Sequence, residues 1–203
     1  MHLEFLLEEP SAEAALELVV PRVVGPDVTF RFHAHQGKQD LLSVLAGRLR
    51  GYASWMPADW RIVVLIDEDR QDCHNLKARL DDIARAIPLT PKTAVAAGRS
   101  FHVLNRIAVE ELEAWFFGDV QALREAYPRV PESLGRRSRY RDPDAIGGGT
   151  CEALERVLQE AGYHRGGLSK TAAARDIARH MDPGRNRSRS FQVFRAGLLQ
   201  AIV

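Results

Sequence analysis

Cysteine is scarce in this chain: Cys73 and Cys151 are the only two among 203 residues, and neither has a Cys or His neighbour at zinc-ligand spacing. A disulfide framework and a structural zinc site are therefore excluded as organising devices. Long apolar runs are absent too. No segment reaches the roughly 18 continuous apolar residues that a membrane helix needs. The opening MHLEFLLEEP has acid inside its apolar run and no basic leader, so the chain reads as cytoplasmic. Internal repeats and low-complexity tracts are lacking. The triple glycine Gly147 to Gly149 has neither a preceding strand nor the G-x-x-x-x-G-K-[ST] pattern, which excludes a phosphate loop of that kind.

What remains is the composition of an ordinary globular protein, 45% hydrophobic and 27% charged, long enough to bury a sizeable core. The net charge of +1 hides an asymmetry. Residues 1–128 carry 14 Lys/Arg against 19 Asp/Glu, a balance of −5, whereas residues 129–203 carry 14 against 8, a balance of +6. An acidic half suited to a metal precedes a basic half suited to phosphate.

The most informative stretch is RIVVLIDEDRQD, Arg61 to Asp72. Ile62 to Ile66 is an unbroken, mostly β-branched run, the pattern of a strand buried on both faces of a parallel sheet. It ends in Asp67, Glu68 and Asp69. In extended backbone Asp67 and Asp69 would project to one side, and like charges that close call for a cation between them. Hard carboxylate oxygens suit Mg²⁺ or Mn²⁺, and ligands of open α/β sheets gather outside the carboxyl ends of strands.

The same grammar recurs along the chain. Leu3 to Leu7 reads as a strand ending in Glu8 and Glu9. Ser11 is placed to cap a helix whose core face is Leu16, Val19, Val20 and Val23. Val28 to Ala34 reads as a strand, Leu41 to Leu49 as a helix, and Tyr52 to Trp60 as a loop. Leu76, Leu80, Ile83, Ala84 and Ile87 mark another helix, stopped by Pro88 and Pro91. Thr93 to Ala97 and Phe101 to Ala108 read as further strands. In VEELEAWFFGD, Val109 to Asp119, Glu110 and Glu113 are taken as the wet side of a packed helix. Residues 127–150 lack periodicity and read as a long loop. The last third is helical again: Ser169 caps a helix to about Met181, and Phe191 to Ile202 form a final one. Between them DPGRNRSRSF alternates arginines with small polar residues before a helix N-terminus, the makings of an anion site.

Taken together, LLEEPSAEAAL with Glu8 and VVLIDEDRQDC with Asp67 and Asp69 resemble the Toprim signature of topoisomerases, primases and overcoming-lysogenization-defect nucleases. More closely, four segments in order resemble the Toprim-related bacterial family known as domain of unknown function 4276. They are EEPSAEAAL, the acidic segment at Asp67 to Cys73, VEELEAWFFGD and GLSKTAAARDIARHMDPGRNRSRSF. Glu9 stands where many Toprim proteins have Gly. Glu8 matches the first acid of the E-G-x-[ST]-x-E pattern, with Ser11 and Glu13 in its later positions.

The resemblance implies an α/β, Toprim-like (Rossmann-like), mostly parallel sheet with helices on both faces and a helical C-terminal third. The expected organisation is a core over residues 1–127, an Arg/Pro/Gly-rich loop over 128–150 and helices over 151–203. It also implies Mg²⁺ or Mn²⁺ held by Glu8, Asp67 and Asp69, with Glu8, Lys170 and Arg187 as catalytic candidates. The basic segment Lys170 to Arg189 is expected across the mouth of the acids. The implied activity is that of a metal-dependent nuclease, or related phosphoryl-transfer enzyme, on DNA or RNA. An anti-phage role beside an ATPase partner protein goes with it, and no membrane is involved. A non-catalytic module that binds nucleotide or a partner is the alternative. The roles of Glu9, Glu111 and Glu113 are left open.

Overall fold

The computed structural model describes residues 1–69 and 71–203; Arg70, inside the acidic segment, lies outside the described residues. Among them, four parallel strands form one sheet: β1 (His2–Leu7), β2 (Thr29–Ala34), β3 (Trp60–Asp67) and β4 (Val103–Ala108), in the order β2-β1-β3-β4. This is the α/β class with a parallel sheet that the sequence implies. The register matters for the site. Leu7 lies opposite both Ala34 and Leu65, and Asp67 lies opposite Ala108, so the carboxyl ends of the strands share one edge.

Alternation of side chains explains why the sheet is covered twice. Leu3, Phe5, Leu7, Val63, Leu65 and Leu104 point to one face, packed by α1 (Pro10–Val24), α4 (Glu113–Gly118), α7 (Lys170–Ala178) and α8 (Arg189–Ala201). Leu6, Ile62, Val64, Ile66, Val103 and Ile107 point to the other, packed by α2 (Lys38–Trp55) and α3 (Cys73–Arg85). Helices α5 (Val120–Ala126) and α6 (Thr150–Glu160) complete the first layer. Each Leu or Phe buried this way contributes about 1.5–3 kcal/mol.

Helices α1 and α7 lie side by side and run the same way. Lys170, the first residue of α7, reaches Glu9 at the start of α1, and Arg22, near the end of α1, reaches the end of α7. The Arg22 guanidinium donates to the carbonyls of Ala178, Arg179 and Met181 at 3.1, 2.7 and 2.7 Å. It satisfies carbonyls that a helix end leaves without partners.

Several local expectations are corrected. Thr93 to Ala97 is not a strand: a 3₁₀ turn occupies Lys92–Ala94, and Pro91 makes only an isolated bridge to Val103. Ser11 does not cap α1, because Pro10 already occupies the first helical position and the Ser11 hydroxyl donates to the Glu9 carboxylate instead. Helix α2 continues to Trp55 through much of the expected loop. Ser169 precedes α7 without a side-chain cap, and α7 ends at Ala178. Residues 128–150 carry three 3₁₀ turns and bury Leu134, Tyr140 and Ile146 in the core. Among the described residues no helix is long and apolar enough to cross a membrane.

Candidate functional site

Three strands end in acid, and the shared edge brings those ends together. The Glu8 carboxylate, just beyond β1, accepts the backbone N–H of Asp67 at 3.0 Å. Asp67 closes β3 and is buried. Glu113, the first residue of α4, is only 1% exposed, and its Oε2 is buried with no hydrogen-bond partner among the described residues. The reading of Glu113 as a wet helix face is therefore wrong: α4 turns that side toward the strand ends, not toward water. The signal was available in the sequence, since Val109 to Glu113 follows β4 as the other acidic clusters follow β1 and β3.

The electrostatics follow from this crowding. Burial holds the Asp67 carboxyl well above the usual carboxylate range, and Glu113, Glu8, Glu9 and Asp69 add to the shift. Burial pushes Glu113 up to about 7, with Lys170 opposing. Glu8 is raised by burial as well, against the pull of the Asp67 N–H and Lys38. Burial and the neighbouring Glu113 push the Cys151 thiol up to about 12, so this half-buried cysteine stays a neutral thiol at neutral pH. The cluster holds more negative charge than its surroundings offset.

Two lysines offset part of it. Lys170 Nζ lies 3.7 Å from Glu9 and 4.0 Å from Glu113. Burial alone would lower its pKa, but Glu113 and Glu9 outweigh that and keep the ammonium charged. Lys38, which sequence reasoning passed over, is buried at the start of α2 and pairs with Asp69 at 2.5 Å while donating to the Glu68 carbonyl. Asp69 does not continue an extended strand. Its φ of 54° is left-handed, its N–H donates to the Glu110 carbonyl, and its half-exposed carboxylate is turned to Lys38.

Other acids are committed to the frame. Glu68 accepts the N–H groups of Cys73 and Glu110, tying the start of α3 to the segment after β4. Glu111 accepts from the Thr150 hydroxyl and the Cys151 N–H, capping α6. Among the described residues the carboxylates of Asp67 and Glu113 and one oxygen of Glu8 hold no backbone group, while Glu9 is turned to Ser11 and Lys170 and Asp69 to Lys38.

Arg187 is not brought to this cluster. Its N–H donates to the Gly118 carbonyl at the far end of α4, and its guanidinium lies beside Gly135. Arg185, in the same segment, pairs with the buried Asp119. The anion site expected before α8 is already filled from within, since the Asp144 carboxylate accepts the N–H groups of Arg189 and Ser190 and the hydroxyls of Ser188 and Ser190. Of the segment from Lys170 to Arg189, Lys170 alone is seen at the acids among the described residues.

Fold and site together define an α/β protein with an open, all-parallel sheet and a partly neutralised carboxylate cluster where its strands end. The chain belongs to the family described as Domain of unknown function (DUF4276), whose model matches residues 7–199. No curated protein matches it. Among solved structures it is similar to the C-terminal region of the Burkholderia pseudomallei OLD protein, with 15% identity, a TM-score of 0.47, and coverage of 98% of this chain and 96% of that one.

Proposed function

We propose that this protein is a metal-dependent phosphoryl-transfer enzyme that cleaves phosphodiester bonds in nucleic acid. One observation carries the reading: Asp67 is crowded by Glu8 and Glu113 at the carboxyl edge of a parallel sheet, with a buried Glu113 oxygen that has no partner among the described residues. A site built this way is short of positive charge, and a hard divalent cation such as Mg²⁺ or Mn²⁺ suits an all-oxygen donor set. Among the described residues no group of three His, Cys, Asp or Glu side chains already stands in ligating geometry. Asp67, Glu113 and the free oxygen of Glu8 are the residues that would hold the ion, after a change of carboxylate rotamers. Asp69 would join on release from Lys38.

When bound, such a cation polarises a phosphoryl oxygen and lowers the pKa of bound water. Lys170, held charged beside Glu9 and Glu113, is the group in place to offset charge that develops on phosphate oxygens. Without the ion Glu113, pushed up to about 7, is able to hold a proton near neutral pH, and it would release that proton on taking up the cation. Lys38 orients Asp69 and keeps part of the edge neutral before substrate arrives. The lack of ready-made ligation favours the second reading, a module that binds nucleotide or a partner without cleaving.

The deciding experiment incubates purified protein with DNA, total tRNA or free nucleotides in Mg²⁺, Mn²⁺ or EDTA. Cleavage with either metal, none in EDTA and none by Asp67→Ala is the expected result. Binding without cleavage under every condition would leave only the second reading.

A further inference from the structure

At the far end of α2 from the acids, a second cluster has no part in the chemistry above. Glu4, in the middle of β1, is a buried carboxylate with three partners. His2 Nε2 lies 3.1 Å from one of its oxygens, His33 Nε2 lies 2.6 Å from the other, and the Tyr52 hydroxyl donates to that second oxygen at 3.0 Å. The network is a base on which aromatic rings pack, tilted or edge-on. His2 lies 4.1 Å from Trp60, Trp60 meets Trp55 edge-on at 5.3 Å, and Tyr52 lies 5.5 Å from Trp55, between ring centroids.

The outer ring of this cluster is open. Trp55 is 56% exposed, although it is among the largest apolar side chains of the molecule. The surrounding cleft of about 360 Å³ is flanked by Arg31 on the edge strand and Arg48 on α2. Both arginines are exposed, and among the described residues neither makes an ion pair. Glu4, the carboxylate among the residues that line the cleft, is buried and already engaged by His2, His33 and Tyr52, and Asp59 is paired with the N-terminal amine.

An exposed indole on a fixed aromatic base, flanked by unpaired guanidinium groups, has the two components that single-stranded nucleic acid requires: a face for a base and cations for the backbone. We infer that this cleft is a second contact site for single-stranded nucleic acid, with a base stacked on Trp55 and phosphates paired to Arg31 and Arg48. Lys38 begins α2 at the acids and Trp55 ends it, so the cleft stands about 26 Å from them at 1.5 Å per residue. A strand held there extends along α2 toward the acids without crowding them. The inference rests on nucleic acid being the substrate class, and its test avoids cleavage altogether.

That test measures, by fluorescence anisotropy in EDTA over a range of salt, binding of a labelled oligothymidylate of about twelve nucleotides to the full chain. Wild type is expected to bind, Trp55→Ala to bind about tenfold more weakly, and Trp55→Phe to keep most of the affinity. Arg31→Ala and Arg48→Ala should each reduce the salt slope by about 0.7. The two arginines are exposed, so melting curves of Arg31→Ala and Arg48→Ala should overlay the wild type; Trp55→Ala loses its contacts with Trp60 and Tyr52, so its binding is measured well below its melting temperature and judged against Trp55→Phe. The inference is overturned if wild type does not bind, if the variants bind with unchanged affinity and slope, or if Trp55→Ala impairs only association with another protein. The two readings separate cleanly. Binding through Trp55 without cleavage in any metal sinks the enzyme and keeps the cleft, whereas metal-dependent cleavage with binding indifferent to Trp55 does the reverse.

Discussion

Glu113 is where the chemistry of single residues is most exposed to test. A carboxylate with an unfolded pKa of 4.5 and a folded pKa of about 7 holds its proton longer in the folded state. The group costs nothing when both states are protonated. Its cost grows as pH rises from about 4.5 and is complete above about 7, on the order of 3 kcal/mol for a shift of this size. Glu8 and Asp67 are shifted in the same direction and add to that slope. In EDTA the melting temperature of wild type should therefore fall between pH 5 and 7.5, and Glu113→Gln should flatten the fall; parallel curves would refute the assignment. Lys170 acts on the same titration from outside. Removing its charge by Lys170→Gln should move the Glu113 carboxyl titration, followed by carbon NMR, to higher pH. An unmoved titration would mean that the 4.0 Å separation is screened by water. Reading the sequence located Glu8, Asp67 and Lys170 because each sits in a motif with a strand or helix boundary beside it. It misplaced Glu113, because three-residue spacing says which residues share a helix face and not whether that face meets water or other acids.

Elements, rather than residues, decide where the basic segment goes. Before α8 the sequence offers arginines and a helix N-terminus, which together suggest a bound anion. The structure supplies that anion from residues 128–150: Asp144 takes two N–H groups and two hydroxyls at once. Nothing in the local pattern could show this, since the partner lies more than forty residues upstream in a stretch without periodicity. Asp144 thus joins an apparent loop to the final helix, and Asp144→Ala should lower stability by about 1–2 kcal/mol in urea unfolding, the range for a lost N-cap. A variant as stable as wild type would show that the serines and water replace it. Helix α4 is fixed just as closely. A Cβ at Gly118 would come within 2.1 Å of Asn186 Oδ1 and 2.8 Å of the Ser188 nitrogen, while Asn186 Nδ2 donates to the Trp115 carbonyl. Substituting Ala at Gly118 should displace α4, and with it Glu113, at a cost of about 1–3 kcal/mol. The four strands of the sheet, by contrast, were legible to within two residues at each end, because runs such as VVLI suit a strand buried on both faces, whereas Thr93 to Ala97, read as a fifth, is a 3₁₀ turn.

At the scale of the whole molecule, the acid edge is a site whose ligand-free form is held at a disadvantage. The sheet, α1, α4 and α7 are fixed by packing, so the backbones that carry the carboxylates cannot move apart, and a proton, a lysine or a cation is what relieves their repulsion. A ligand that binds the folded state alone raises stability by RT ln(1 + [L]/Kd), about 2.7 kcal/mol at a hundredfold excess over Kd. Mg²⁺ or Mn²⁺ should accordingly raise the melting temperature at pH 7.5, and raise it less at pH 5.5, where protons compete for the same oxygens. Ca²⁺, also a hard oxygen-seeking ion, should stabilise as well, whether or not it supports cleavage. Asp67→Asn should separate the two sides of this balance. Losing one charge relieves the repulsion, so the variant should be more stable than wild type in EDTA, and losing one ligand should make it nearly indifferent to added metal. A variant that is less stable than wild type without metal, yet still stabilised by it, would mean that Asp67 serves the fold and that the cation is held elsewhere.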